Sequence, residues 1–316
     1  MPKNKFANMT IHPNSAKLSA GNFKVERSAW HKGNLNYFPA KKEQFADLNT
    51  LAKEFVFKGF GPDSPIFGDG DKVVTMGSCF ADRLRAWLNA NGKGTTYINV
   101  PEGLNNSFAV RQYLEWALTG DRSTDAYWYD NDKTLGAFQW QPDQEQQKLL
   151  QHFKEVSAVV VTFGLGEVWK DVETNNVFWR GVPAKFYDPT KHKCVTSTVQ
   201  ENVDNMKRIV DLIQKHAGAD TTVIFTLSPV PLNATFTNRP TIVSDCVSKS
   251  ILRVSLDEFF RDNNYKNTYY WPSFEMVRWV GAHTDMPTLF EDDTTRHVNN
   301  DIVKIIIENF VSKFFK

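Results

Sequence analysis

Cysteine is scarce: the 316 residues contain three, Cys79, Cys194 and Cys246. An odd, low count argues against a disulfide framework and fits a reducing compartment. Long apolar runs are missing too. No window approaches the roughly 18 consecutive apolar residues of a membrane span, and the first residues, MPKNKFANMTIHPNSAK, hold no apolar stretch of signal-peptide length. A cytoplasmic location is the resulting expectation. Nor is there an excess of either charge: 37 Lys plus Arg face 36 Asp plus Glu. Binding to nucleic acid through counterion release needs a basic surface, so nucleic acid is excluded as the main partner. There is no internal repeat, no low-complexity tract and no Cys-x-x-Cys pair for redox chemistry. The sequence calls for no metal and no cofactor, and it leaves the oligomeric state open. One short pair, His192 and Cys194, is a weak metal signal.

Short apolar runs alternating with helical stretches are plentiful. Strands are expected at 72–76, 97–100, 157–163, 221–227 and 268–271, and helices at 80–90, 107–118, 144–154, 199–216, 242–262 and 299–315. In the fourth helix Val203, Met206, Val210 and Ile213 make a one-sided stripe. The runs at 72–76, 157–163 and 221–227 are β-branched and apolar almost throughout, as in inner strands of a parallel sheet covered on both faces. The expected fold is therefore α/β: three layers, doubly wound, with a mainly parallel sheet. Residues 1–71 read as an N-terminal extension packed on a main domain of 72–316. Gly59-Phe60-Gly61 follows no strand and is no dinucleotide fingerprint. Two aromatic, turn-rich segments, 120–143 and 169–190, read as insertions near the carboxyl ends of strands, where open α/β sheets bind ligands. Nine Trp suit a thick core and also suit contacts with carbohydrate.

The stretch VVTMGSCFADRL, residues 73–84, places Ser78 and Cys79 where a buried strand turns into a helix. Free N–H groups and the positive helix end gather there, so a thiol or hydroxyl gains a lowered pKa or a stabilised oxyanion. The bland alternative is that Ser78 caps the helix and Cys79 is a small buried hydrophobe. A nucleophile needs a base. Of seven His, His297 in EDDTTRHVNND stands apart. It lies on a loop before the last helix, with Asp293 and Asp292 four and five positions upstream. Ser228 and Glu275 follow strands and could line the same crevice, or serve only local hydrogen bonds.

The blocks Gly77-Ser78-Cys79-Phe80-Ala81, TFGLGEVW (162–169), TLSPVPLNATF (226–236), SKSILR (248–253), YYWPSFEMV (269–277) and RHV (296–298) resemble, in order, the GSCFA family. That family is placed with the SGNH, or GDSL-like, hydrolases. The resemblance implies a nucleophile after the first strand, oxyanion donors from later loops, and a carboxyl-terminal acid and His. A gapless register puts Cys79 at the nucleophile position, with Ser78 capping the helix or shaping the turn. A shift of one residue gives the role to Ser78. Gly103 would match the oxyanion glycine. Gly166 and Glu167 stand where Gly-x-Asn-Asp is expected, so the amide is missing there; Asn106 could supply it, or the hole is made of backbone alone. Thr294 replaces the expected acid, leaving Asp293 or Asp292. The implied activity is hydrolysis or transfer of an acyl ester, on an acylated carbohydrate or glycan precursor. A rival is an SGNH-fold binding or accessory protein that has lost its catalytic geometry.

Overall fold

A computed structural model describes residues 38–39, 41–95, 105–121, 126–127, 142–178, 181–182, 184, 187–262, 264–290 and 294–316. Two compact units result, Met1–Ala46 and Asp47–Lys316. The first contains one described 3-10 turn, Lys42–Phe45. Residues 47–71, the later part of the expected N-terminal extension, fall in the same compact unit as the sheet. The reason is aromatic burial: Phe57 stacks on Trp271 with ring centroids 4.4 Å apart, and the N–H of Phe67 donates to the Phe314 carbonyl at 2.8 Å.

In chain order the elements are α1 (Leu48–Leu51), a π turn (Ala52–Val56), β1 (Val73–Gly77), α2 (Cys79–Ala90), α3 (Ser107–Thr119), β2 (Ala126–Tyr127), α4 (Pro142–Lys154), β3 (Ala158–Phe163), β4 (Glu167–Asp171), β5 (Val177–Phe178), β6 (His192–Thr196), α5 (Val199–His216), β7 (Thr222–Leu227), α6 (Thr241–Arg261), β8 (Thr268–Trp271), α7 (Ser273–Arg278), a 3-10 turn (Val280–Ala282) and α8 (Asn300–Phe314). The main sheet runs β1-β3-β7-β8, parallel throughout. Every residue of β1, β3 and β7 is buried, which explains their lack of polar alternation. Val74, Met76, Val159, Val161, Val223 and Phe225 point into one core with α3, α4, α5 and α6. The opposite face meets α2, α8 and the 48–57 segment, where Trp271 sits between Phe57 and Phe310. The fold is the expected three-layer α/β arrangement.

Local chemistry sets the helix ends. Thr198 and Glu201 form a reciprocal capping box at the start of α5, with bonds of 3.2 and 2.8 Å. Gly120 ends α3 in the left-handed conformation, φ 74°. β3 and β7 are inner strands as expected; β1 and β8 are the end strands of the four described, and β1 is buried along its length, with Thr95 in a parallel bridge to Val73. The strand expected at 97–100 lies outside the described residues. The 169–190 insertion contributes to a second small sheet, order β2-β5-β4-β6, whose β2 comes from the 120–143 insertion and whose β6 follows residue 190; β4 is antiparallel to both its neighbours. Of the 120–143 insertion, residues 122–125 and 128–141 lie outside the described set. Among the described residues, no helix is long and apolar enough to cross a membrane.

The last residue of β1 is fixed by geometry. Gly77 has φ 112°, and a Cβ there would lie 2.1 Å from the Thr162 carbonyl oxygen of β3. No side chain fits without separating the strands. Gly77→Ala should lower stability by about 3 kcal/mol or more, read as a fall in the urea midpoint at unchanged slope.

Candidate active site

Three strand exits are laced together at the carboxyl edge of the sheet. The Ser78 N–H donates to Thr162 O at 3.2 Å, the Gly164 N–H to Asn105 O at 2.6 Å, and the Ser228 N–H to Phe163 O at 2.6 Å. Between them lies a cavity of ≈ 330 Å³, lined by Ser78, Asn105, Gly164, Ser228, Lys249 and Arg296 together with residues of the 230–234 loop. This is the crevice where open α/β sheets take ligands.

Ser78 is the N-cap residue of α2, yet its side chain makes no capping bond. The capping role expected in the gapless register is therefore not what it does. Ser78 is 5% exposed and lines the cavity, and its Oγ has no hydrogen-bond partner among the described residues. A buried hydroxyl without a partner is costly. Here that hydroxyl borders a cavity at a helix N-terminus, where N–H groups of the first turn lack intrahelical acceptors. Cys79 opens α2; its side chain lies outside the described atoms.

The cavity wall from α6 is basic. Lys249 is 2% exposed, and its Nζ donates to Gly164 O at 2.6 Å. Burial pushes its pKa down to about 8; Asp245 opposes the shift, while Arg278 and Arg296 add to it. Asp245 is itself buried. It accepts from Arg278 Nη2 at 2.6 Å and from the Leu232 N–H at 3.0 Å. Arg296 Nε donates to Pro231 O at 3.0 Å, and Arg278 Nη1 to Pro229 O at 3.4 Å. These bonds hold the loop after β7 against the cavity. None of the three basic residues was singled out from sequence. The blocks SKSILR and RHV contain two of them, but only the fold brings them together.

The other expected site residues are scattered. Asn106 caps α3, its Oδ1 accepting from the Ala109 N–H at 2.8 Å, so that atom is already engaged. Asn105 takes the place beside the cavity: its Nδ2 lies 3.4 Å from where a Cβ on Gly164 would stand. Gly166 and Glu167 do not line the cavity. The Gly166 N–H donates to Ser248 Oγ at 2.7 Å, and Glu167 accepts from Thr235 Oγ1 at 2.9 Å through both oxygens. His297 is half-buried, its N–H bonded to Thr294 Oγ1 at 3.1 Å. It follows the lining residue Arg296 without lining the cavity itself. Gly103, Asp292 and Asp293 lie outside the described residues. Ser228 Oγ accepts from the Val230 N–H at 3.3 Å. Glu275 is structural, accepting from Arg253 Nε at 2.6 Å and from Tyr270 OH at 2.8 Å. His192 Nδ1 accepts from the Asp188 N–H at 3.1 Å. Cys194 is pushed up to about 11, first by burial and then by Glu167, which makes it a poor nucleophile. Cys246 is exposed on α6.

Lys249 generates a pH dependence with a definite sign. Unfolded, it keeps its proton to near 10.5; folded, only to about 8. Below 8 both states are protonated and the native state carries the whole burial cost. Between 8 and 10.5 the unfolded state binds more protons, so unfolding free energy rises with pH. Wild type should therefore gain on the order of 2–3 kcal/mol relative to Lys249→Met between pH 7 and pH 10.5, measured by urea unfolding at each pH. Parallel curves for the two proteins would contradict the assignment.

No curated protein matches the chain. Among solved structures it is similar to a Bacteroides fragilis NCTC 9343 protein provisionally described as an acylhydrolase, at 13% identity and a TM-score of 0.39, over 84% of this chain and 90% of that one. It is also similar to a carbohydrate esterase family 2 enzyme with a carbohydrate-binding domain from Corynascus thermopiles (Myceliophthora fergusii), at 14% identity and a TM-score of 0.36, over 82% of this chain and 69% of that one. The family match is of another order, running from residue 72 through to 310 and so spanning the whole sheet, the Gly77-Ser78-Cys79 turn and the Arg296-His297 loop: the chain belongs to the GSCFA family.

Proposed function

We propose that the protein is an acyl-ester hydrolase or acyltransferase with Ser78 as nucleophile. The observation that carries this reading is Ser78 Oγ: buried, without a hydrogen-bond partner, and bordering the cavity at the start of α2. In this reading Ser78 Oγ attacks the ester carbonyl carbon and its proton passes to His297. N–H groups of the first turn of α2, and the Asn105 side-chain amide, stabilise the oxyanion. As the intermediate collapses the ester C–O bond breaks and His297 passes the proton to the leaving alcohol. The acyl group then rests on Ser78 until water or an acceptor hydroxyl, deprotonated by the again neutral His, attacks it and Ser78 Oγ leaves, taking the proton back. Asp293 or Asp292 orients the imidazole, as the SGNH resemblance implies.

An acylated carbohydrate or glycan precursor is the substrate class we favour. Trp169 packs edge-on against Tyr187 and Phe236, at 5.6 and 5.0 Å. Tyr187 is 45% and Phe236 71% exposed. Phe236 is two residues from Ala234, which lines the cavity. Exposed aromatic faces beside a polar crevice suit a sugar ring. The alternative, a binding or accessory protein of the same fold, draws support from Gly166, whose N–H already bonds Ser248 and is not free for an oxyanion.

Hydrolysis of 4-nitrophenyl acetate separates these readings. Wild type should be active, Ser78→Ala should lose at least about 10³-fold, and His297→Gln about 10²–10⁴-fold at unchanged melting temperature. Cys79→Ala should keep most activity. The reverse pattern, with Cys79→Ala dead and Ser78→Ala active, transfers the nucleophile to the thiol. A wild type inert toward esters that still binds acetylated sugar favours the accessory reading.

A further inference from the structure

We infer that the cavity beside Ser78 contains a subsite for a small oxyanion, formed by Lys249 and Arg296, so that the substrate carries a carboxylate or phosphate close to its ester. The substrate assignment rests on the reading of the cavity as a hydrolase site; the anion subsite does not.

The charge balance of the wall carries the inference. Lys249, Arg278 and Arg296 are close enough to one another that both arginines disfavour the charged form of Lys249. Among the described residues, Asp245 is the carboxylate set against Lys249 and Arg278, and it is bonded to Arg278 and to the Leu232 N–H. Among the described residues lining the cavity there is no Asp or Glu. Among the described residues, Lys249 and Arg296 therefore border the cavity with only Asp245 set against Lys249. A buried charge such as that of Lys249 is expensive to keep unless it is paired. A perturbed charged group lining a cleft is a candidate for holding a ligand.

The donors left over also fit. The Lys249 ammonium has three N–H groups, and the one described bond goes to Gly164 O. Arg296 uses Nε on Pro231 O, which leaves the terminal nitrogens of a planar fork that matches an oxyanion. Ser78, Asn105 and Ser228 add neutral polar groups to the same wall. A cavity of ≈ 330 Å³ is at the small end for ligand sites, with room for an ester and one neighbouring oxyanion. No step of the proposed acyl chemistry needs Lys249, and holding Pro231 O occupies only Nε of Arg296.

Isothermal titration of succinate and of inorganic phosphate at low ionic strength tests the subsite without relying on turnover. Wild type should bind at least one of them at one site per chain, and which one tells carboxylate from phosphate. Arg296→Gln and Lys249→Met should each weaken Kd at least tenfold, while the neutral analogue 1,4-butanediol should not bind measurably to any form. Arg296→Gln retains an amide able to bond Pro231 O, so it decides the matter if Lys249→Met fails to fold. Absence of binding of both anions to wild type, or equal Kd in wild type and Arg296→Gln, overturns the proposal. An inert enzyme that nevertheless binds the anion through these residues would sink the hydrolase reading alone.

Discussion

The structure turns on the approach of Gly77 to Thr162. Side-by-side parallel strands normally leave room for a Cβ at every position. Here the end of β1 is drawn so close to β3 that the Thr162 oxygen occupies the place a side chain would take. The positive φ at Gly77 swings the next residue out of the sheet, and the Ser78 N–H returns to the same carbonyl at 3.2 Å. The Cα and Cβ of Ser78 are therefore held at the sheet edge by backbone bonds, and only χ1 is left to aim the hydroxyl. β3 and β7 leave the sheet at the same level, through the Gly164–Asn105 and Ser228–Phe163 bonds. The crevice is made of three strand exits whose backbone hydrogen bonds run between elements. Such positioning is stiffer than any side-chain arrangement on a free loop.

A second constraint acts from above. The loop after β7 contains Pro229 and Pro231, which lack N–H groups and cannot be held by donating. Its carbonyls at those two positions are gripped instead by Arg278 and Arg296. Asp245 takes the Leu232 N–H in the same stretch. The prolines explain why the loop needs basic residues to hold it. The burial of Asp245 explains why one arginine must pair with it. Neither explains Lys249, whose ammonium could have been replaced by an apolar side chain at less cost to stability.

Much of the scaffold was legible because burial on both faces leaves a direct trace in composition. VVTM, AVVVTF and TVIFTL read as strands for the same reason that they are buried. α5 was readable from its stripe, bounded by the Thr198–Glu201 box and His216. The site was less legible, because its parts meet only through tertiary contacts. Asn105 and Asn106 are indistinguishable in sequence, yet one caps a helix and the other borders the cavity. Lys249 sits in a helix without a clear apolar stripe, where Ser244, Asp245 and Ser248 are buried and Ile242 is exposed, so nothing local marks a lysine as inward-facing. Ser78 shows the opposite error: a serine before a helix is so often a cap that its failure to cap could be seen only in three dimensions.

The fate of Gly164-Leu165-Gly166-Glu167 shows why a motif can keep its place while its role moves. In an uninterrupted α/β crossover the segment after β3 would line the crevice for several residues. Here β4 begins at Glu167 and departs into the second sheet. Gly166 is pinned against Ser248 and Ser197, and Glu167 against Thr235. Only Gly164 and Leu165 remain at the cavity. The contact with α6 at Gly166 is tight: a Cβ would lie 3.0 Å from the Ser248 oxygen. Once the chain turns away there, an amide near Gly164 has to come from another segment, and the residue preceding the α3 cap is the one that Gly164 and Leu165 both bond. The added sheet and the place of Asn105 beside Gly164 are thus consequences of one turn, and the same turn brings the aromatic side chain of Trp169 toward Phe236 on the loop that borders the cavity.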